Sequence, residues 1–229
     1  EDPQRVGIRE IRYIEGLYDF WEELKRRKPG LIVECCCSGN RRFDLETITR
    51  TVNLWRSDYF RESNCNQAQM YGLSHYVILH GLGTLSLDTY DYRSVLGPSI
   101  VVEWPVDNPG FDFNLAKKNI DLFYKTRELF YGDYYPLTPY SVKQTVWLAY
   151  QFHRDDLARG VVFAFRRPVC EDSELMVRLG GLLPDKRYEV ENVDTHQKVI
   201  SSGSDLAAGL KIQAMEKPQA IVLLYQQMD

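Results

Sequence analysis

The stretch Leu31-Ile32-Val33-Glu34-Cys35-Cys36-Cys37-Ser38-Gly39-Asn40-Arg41-Arg42-Phe43-Asp44 begins apolar and ends in small, polar and charged residues. A continuous apolar run such as Leu31 to Cys36 is the pattern of a strand covered on both faces, as in a parallel sheet with helices on either side. Working outward, Ile8, Ile11, Ile14, Leu17, Tyr18, Trp21 and Leu24 step by three and four, which predicts a helix over Ile8 to Lys28, stopped by Pro29-Gly30. Downstream the pattern predicts a short helix around Asp44 to Thr51 and a strand over Val52 to Asp58. A helix around Asn66 to Leu73, strands at Tyr76 to Gly81 and Ser99 to Trp104, and a helix over Phe113 to Tyr131 follow. Alternating helix and strand is the rhythm of βα units.

Beyond Tyr135-Pro136-Leu137 the rhythm changes. Short strands are predicted at Val146–Phe152, Val161–Arg166, Leu175–Leu179, Tyr188–Val193, Lys198–Ser201, Leu210–Ala214 and Ala220–Tyr225, separated by turn residues such as Gly180-Gly181 and Lys217-Pro218. Short strands at this spacing predict an antiparallel sandwich. The expected fold is therefore α/β followed by all-β. Residues 1–136 read as the second half of a (β/α)8 TIM barrel, and residues 137–229 as a C-terminal antiparallel β-sandwich. A half-barrel leaves open sheet edges that something must cover.

Composition narrows the function classes. With 229 residues, 44% hydrophobic and 26% charged, the chain can bury a sizeable core and is not of a disordered or low-complexity type. No apolar run reaches the ~18 residues of a membrane-spanning helix, so no membrane partner is expected. Lys+Arg of 28 against Asp+Glu of 32 gives a net charge of −4, which argues against nucleic acid as a partner. The five cysteines, three of them adjacent, form no disulfide ladder; reduced thiols and hence a cytoplasmic setting are expected. Adjacent cysteines cannot all point at one tetrahedral ion, so no metal site is expected from the triplet.

In a βα barrel the active site lies at the carboxyl ends of the strands. There the sequence places Glu34, Cys36, Ser38, Gly39, Arg42 and Asp44 after one strand, and Trp55, Ser57 and Asp58 after the next. These two stretches resemble the alpha-galactosidases of glycoside hydrolase family 36, in the melibiase clan. The family pattern of an acidic residue, Cys-x-Ser-Gly-Gly and Arg-x-Asp, followed later by Trp-x-Ser-Asp, is matched at those positions. Further matches in character are Tyr71-Gly72-Leu73-Ser74, Tyr92-Arg93-Ser94, Gly132-Asp133-Tyr134-Tyr135-Pro136-Leu137 and Leu179-Gly180-Gly181-Leu182.

The resemblance implies a retaining glycoside hydrolase acting on terminal alpha-linked galactose of oligosaccharides, with no cofactor. One carboxylate attacks the anomeric carbon, and a second carboxyl group protonates the leaving oxygen and later deprotonates water. By motif position Asp58 is that acid/base, expected to be held partly out of water. Cys36, Ser38 and Gly39 lie beside the bound galactose, Trp55 offers a ring face, and Arg42 holds a carboxylate by a two-pronged contact. The family's nucleophile is an Asp in a Lys-x-Asp motif on the preceding strand. Asp2 does not match it, so the expectation is a C-terminal portion carrying the acid/base without the nucleophile, inactive alone, with the missing N-terminal half as its partner. Asn40 stands where the family has a second Gly, and Tyr59 where many members carry Asn.

Blander readings stand beside these. Asp58 can be a strand-end carboxylate that caps a helix or pairs with Arg56, and Cys36 a small buried apolar residue. Asp88, Asp91 and Arg93 line either a sugar pocket or a surface loop. The rival function is a non-catalytic half-barrel module that pairs with a second copy of itself and holds sugar weakly at Cys36, Trp55 and Asp58.

Overall fold

The computed structural model describes residues 3–52, 54–59 and 61–228. Glu1, Asp2, Asn53, Phe60, Asp229 and the side chain of Cys37 lie outside the described residues; Asp2 is the residue weighed as a nucleophile and Asn53 belongs to the second expected strand. The chain divides into two compact units, Glu1–Asp58 and Tyr59–Asp229.

In the first unit, helix α1 spans Ile8–Arg27 and buries Trp21. Its apolar stripe is only half covered: Ile11, expected on the inner face, is 54% exposed. The first expected strand, Leu31 to Cys36, is corrected: among the described residues it pairs only through a bridge of Glu34 with Val52, and it is not covered on both faces, since Ile32 is 73% exposed. Cys35 N–H donates to Val52 O at 3.1 Å, Val52 N–H to Val33 O at 2.9 Å, and Glu34 bridges Val52. The expected second strand, Val52 to Asp58, is corrected by this: the described residues pair only at Val52. A single turn, α2 (Cys37–Asn40), and a short helix, α3 (Leu45–Ile48), connect the two. Arg50 ties this connection to α1, lying over the Tyr18 ring at 4.6 Å and bonding Glu22 and Glu46 at 2.7 Å each.

The second unit starts with α4 (Ser63–Leu73), β1 (Gly81–Thr84), α5 (Thr89–Val95), β2 (Ser99–Val102) and α6 (Phe113–Thr126). β1 and β2 pair in parallel, Gly81 against Ser99 through Thr84 against Val102. The third expected strand is thus displaced: Tyr76 and Ile78 are 61% and 62% exposed, and the strand β1 starts at Gly81. Parallel pairing is present, as the βα rhythm implied.

β3 (Asp133–Pro136), β4 (Leu148–Arg154), β5 (Arg159–Arg166), β6 (Glu174–Val177), β7 (Arg187–Asn192), β8 (Lys198–Ser202), helix α7 (Gly203–Ala208), β9 (Leu210–Gln213) and β10 (Gln219–Gln227) follow. Six of the strands form one sheet in the order β3-β4-β5-β10-β7-β8, and β6 pairs with β9, with antiparallel neighbours throughout. Every one of the short strands expected after Leu137 is present, within a few residues of its expected bounds.

The central strands carry unbroken apolar runs because both their faces are covered. Leu148, Tyr150, Phe152, Phe163, Phe165 and Val222 pack with Met70, Tyr92, Leu122 and Phe130 from the helical segments. On the other face Ala149, Val162, Ala164, Ile221, Leu223 and Tyr225 pack with Val177 and Ile212 of the small sheet. One sheet therefore serves two cores, and the helices are built onto it. Arg93, buried in α5, fastens this arrangement: it grips Asp194 with two 2.6 Å bonds and donates to Ala220 O at 2.6 Å. Among the described residues no helix is long and apolar enough to cross a membrane.

Candidate active site

The loop after the first extended segment is where the backbone departs most from ordinary geometry. Ser38, Gly39 and Asn40 have φ of 50°, 74° and 63°. Three successive residues in the left-handed region cost roughly 1–2 kcal/mol each for a residue with a Cβ, and such strain collects at functional positions. Only Gly39 takes it freely. Asn40 is buried, and its Nδ2 and Oδ1 have no hydrogen-bond partner among the described residues.

This turn sets the place of Asp58. A Cβ on Gly39 would lie 3.1 Å from Asp58 N, 3.2 Å from Oδ2 and 3.3 Å from Cγ, so the carboxyl rests against bare glycine backbone. The Trp55 indole Nε1–H donates to Asp58 Oδ1 at 2.9 Å. One carboxyl oxygen is thereby held by the indole, and the other lies over the glycine.

The loop is anchored on its far side. Asp44 caps α3, its Oδ1 accepting from Thr47 N and its Oδ2 from Thr47 Oγ1, both at 2.8 Å. Thr47 Oγ1 also lies 3.0 Å from Tyr18 Oη of α1. The motif's Asp is thus a structural cap. Glu34, on the bridge to Val52, has its carboxyl pushed up by partial burial.

The structure brings Asp58, Trp55 and Gly39 together, with Ser38 and Asn40 on the same turn. Cys36, half-buried, ends the extended segment that leads into it. Arg42 is turned elsewhere: its guanidinium lies 5.8 Å from the Tyr13 ring centre and donates to Tyr13 Oη at 3.3 Å, where the motif implied a carboxylate. Asp58 is exposed, where the motif implied a carboxyl partly out of water.

In the second unit, Asp88 is a cap, its Oδ1 accepting from Tyr90 N at 2.8 Å and Asp91 N at 3.1 Å. Arg93 is the buried clamp on Asp194. Asp91 faces a cleft that also takes in Ser63 and Asn66, which the sequence reading missed, and Arg93 borders a second one beside α6. Neither Ser63 nor Asn66 carried a signal there, because a polar residue in the first turn of a helix reads as an ordinary start. No group of side chains that could hold a metal is present among the described residues.

No family model matches the chain. Alpha-galactosidase Mel36A of Lactobacillus acidophilus is 27% identical over 205 residues, which is 81% of this chain and 27% of that protein. Among solved structures, a variant of the GH36 alpha-galactosidase AgaA from Geobacillus stearothermophilus in complex with stachyose superposes with a TM-score of 0.83 at 20% identity, covering 100% of this chain and 33% of its own. Another variant of AgaA, in complex with raffinose, gives 0.80 at 18% identity with the same coverage. The chain spans about a quarter to a third of the length of these relatives. In sequence and in fold it resembles the alpha-galactosidases of glycoside hydrolase family 36, corresponding to their C-terminal portion.

Proposed function

We propose that this chain supplies the proton-transferring half of an alpha-galactosidase active site. The observation that supports it is the fixed carboxyl of Asp58, with Oδ1 held by Trp55 and Oδ2 lying over Gly39. A carboxyl with one oxygen tethered presents the other in a defined direction, which is what transfer to a glycosidic oxygen needs. In this reading the proton leaves Asp58 Oδ2 for the departing oxygen as its bond to the anomeric carbon breaks. The carboxylate then takes a proton from the water that attacks the covalent intermediate, so the configuration is retained. The galactose ring, lying over Gly39 and against Trp55, is the group that shields the exposed carboxyl from water. Cys36 and Ser38 flank it.

The attacking carboxylate comes from outside these 229 residues, so the isolated chain does not turn over substrate. Residues 1–136 contribute the last four βα units of a (β/α)8 barrel and residues 137–229 a supporting β-sandwich. The substrates are galactose-bearing oligosaccharides, of the kind held by the AgaA complexes with raffinose and stachyose.

The test joins nitrophenol release from nitrophenyl alpha-galactoside with calorimetric binding of 1-deoxygalactonojirimycin and sizing chromatography. The reading expects no release by the 229-residue chain, and binding that Asp58→Asn weakens. An inert dimer that binds no galactose-shaped inhibitor contradicts it and supports the self-associating module instead.

A further inference from the structure

The cleft beside α6 lies wholly within the unit Tyr59–Asp229 and encloses about 370 Å³, the size of a small-molecule pocket. It is lined by one side of α6, by Arg93 of α5, and by Val193 and His196 from the turn that joins β7 to β8.

Arg93 is the residue whose hydrogen bonding is incomplete there. A guanidinium carries five N–H donors in one plane, and Arg93 uses three of them. Nη1 donates to Asp194 Oδ2 and to Ala220 O, and Nη2 donates once, to Asp194 Oδ1, each at 2.6 Å. Nε–H has no partner among the described residues although the side chain is only 2% exposed, and the second N–H of Nη2 is likewise unclaimed among them. These two donors lie side by side along one edge of the guanidinium, the fork that closes on both oxygens of a single oxyanion. Buried donors cost free energy until something accepts from them.

Charge and shape narrow the choice of acceptor. Lys117 is paired with Asp121 at 2.6 Å, Arg93 and Lys118 share Asp194, and His196 faces Glu191 at 2.9 Å. Lys125, exposed on the same side of α6, makes no ion pair among the described residues. With His196 neutral, the four cations outnumber these three carboxylates by one. One negative charge is matched by that excess, whereas a phosphate monoester dianion brings one too many. Leu122 and Val193 give the same cleft apolar surface on which a short carbon chain can lie.

We infer that this cleft binds a small organic acid, its carboxylate seated in the open fork of Arg93 and attracted by Lys125, its carbon chain against Leu122 and Val193. The cleft shares no residue with the Asp58 site, and the inference stands or falls without the galactosidase reading.

Butyrate is the probe, and butyramide, of nearly the same shape without the charge, is the control. Each is titrated at constant ionic strength into the ¹⁵N-labelled 229-residue chain while the Arg93 Nε–H resonance is followed. Butyrate is expected to move that resonance, together with the amide signals of Lys118 and Leu122, and butyramide to leave it in place. Lys125→Gln, at an exposed position where folding is undisturbed, is expected to weaken butyrate binding roughly tenfold. A stationary Nε–H resonance, equal binding of butyramide, full affinity in Lys125→Gln, or tighter binding of inorganic phosphate than of butyrate overturns the inference.

Discussion

The Trp55 indole donates to the Asp58 carboxylate across 2.9 Å, and the same carboxyl closes against Gly39, nineteen residues earlier in the chain. The site is thus assembled from two loops, one bent into a left-handed turn and the other folded onto it. Changes in the turn should be felt at the carboxyl.

Gly39→Ala is the sharpest such change. At φ of 74° a Cβ is strained by itself, at about 1–2 kcal/mol. It also presses on Asp58 N and Oδ2 at 3.1 and 3.2 Å, so the carboxyl must move by a few tenths of an ångström. Thermal unfolding should show the lost stability, and the Trp55 indole N–H resonance should shift. An unchanged resonance would mean that the carboxyl is not seated on the glycine.

Asn40→Gly should act in the opposite sense. It relieves a φ of 63° and removes two buried polar atoms that have no partner among the described residues. A gain of about 1 kcal/mol in denaturant unfolding is expected, since the void left by the side chain offsets part of the relief. A loss of stability would show that the amide has a role in the fold.

The Arg93–Asp194 pair makes stability depend on acid. Burial pushes the Asp194 carboxyl up, but the two-pronged Arg93 contact and nearby Lys118 outweigh it and hold the group below the ordinary carboxylate range. A depressed folded value means that the contribution is complete above about pH 4–5 and is lost as pH falls through that folded value, below about 4. Asp194→Ala should cost about 2–4 kcal/mol at neutral pH, less than the ~3–5 of a wholly buried pair because Asp194 keeps 30% exposure. It should also flatten the acid limb of the stability curve. A variant with the wild-type acid limb would contradict the assignment.

Gly160→Ala tests the sheet. The added Cβ would come within 2.1 Å of Tyr225 Oη, the atom that Gln151 and His153 reach at 2.7 and 3.0 Å. Displacing a fully packed ring costs about 1–3 kcal/mol and breaks both bonds. Its melting temperature should fall well below that of an alanine placed at solvent-exposed Gly16, and equal melting temperatures would refute the packing account.

The sequence was readable where periodicity and burial agree. The strands of the large sheet are apolar on both faces because helices cover one and the small sheet the other, and their runs, such as Val161 to Phe165, stand out. β1 was obscured because Gly81 and Gly83 supply no side chain to the pattern, and β3 because it ends in Pro136, tolerated at a sheet edge. α5 escaped notice because Thr89, Tyr90, Tyr92 and Val95 read as strand formers; the Asp88 cap and the buried side chains make it helical. Motif spacing singled out Asp58, Trp55 and Gly39; Asp58 bonds Trp55 and lies against Gly39. Spacing could not show that Arg42 turns to Tyr13, since the direction of a long side chain depends on tertiary neighbours. The cleft at Asp91 was partly visible, but its partner Ser63 comes from another helix.

The measurement that reaches the central claim most directly is the leaving-group dependence of Asp58→Asn in the polypeptide encoded by the complete reading frame. If Asp58 donates the proton, methyl alpha-galactoside, whose alkoxide leaves only when protonated, should lose about 10²–10⁴-fold in kcat/KM. The 4-nitrophenyl galactoside, whose phenolate leaves unaided, should lose far less in the step that forms the intermediate. An equal loss on both substrates, or no loss on either, would contradict the role of Asp58.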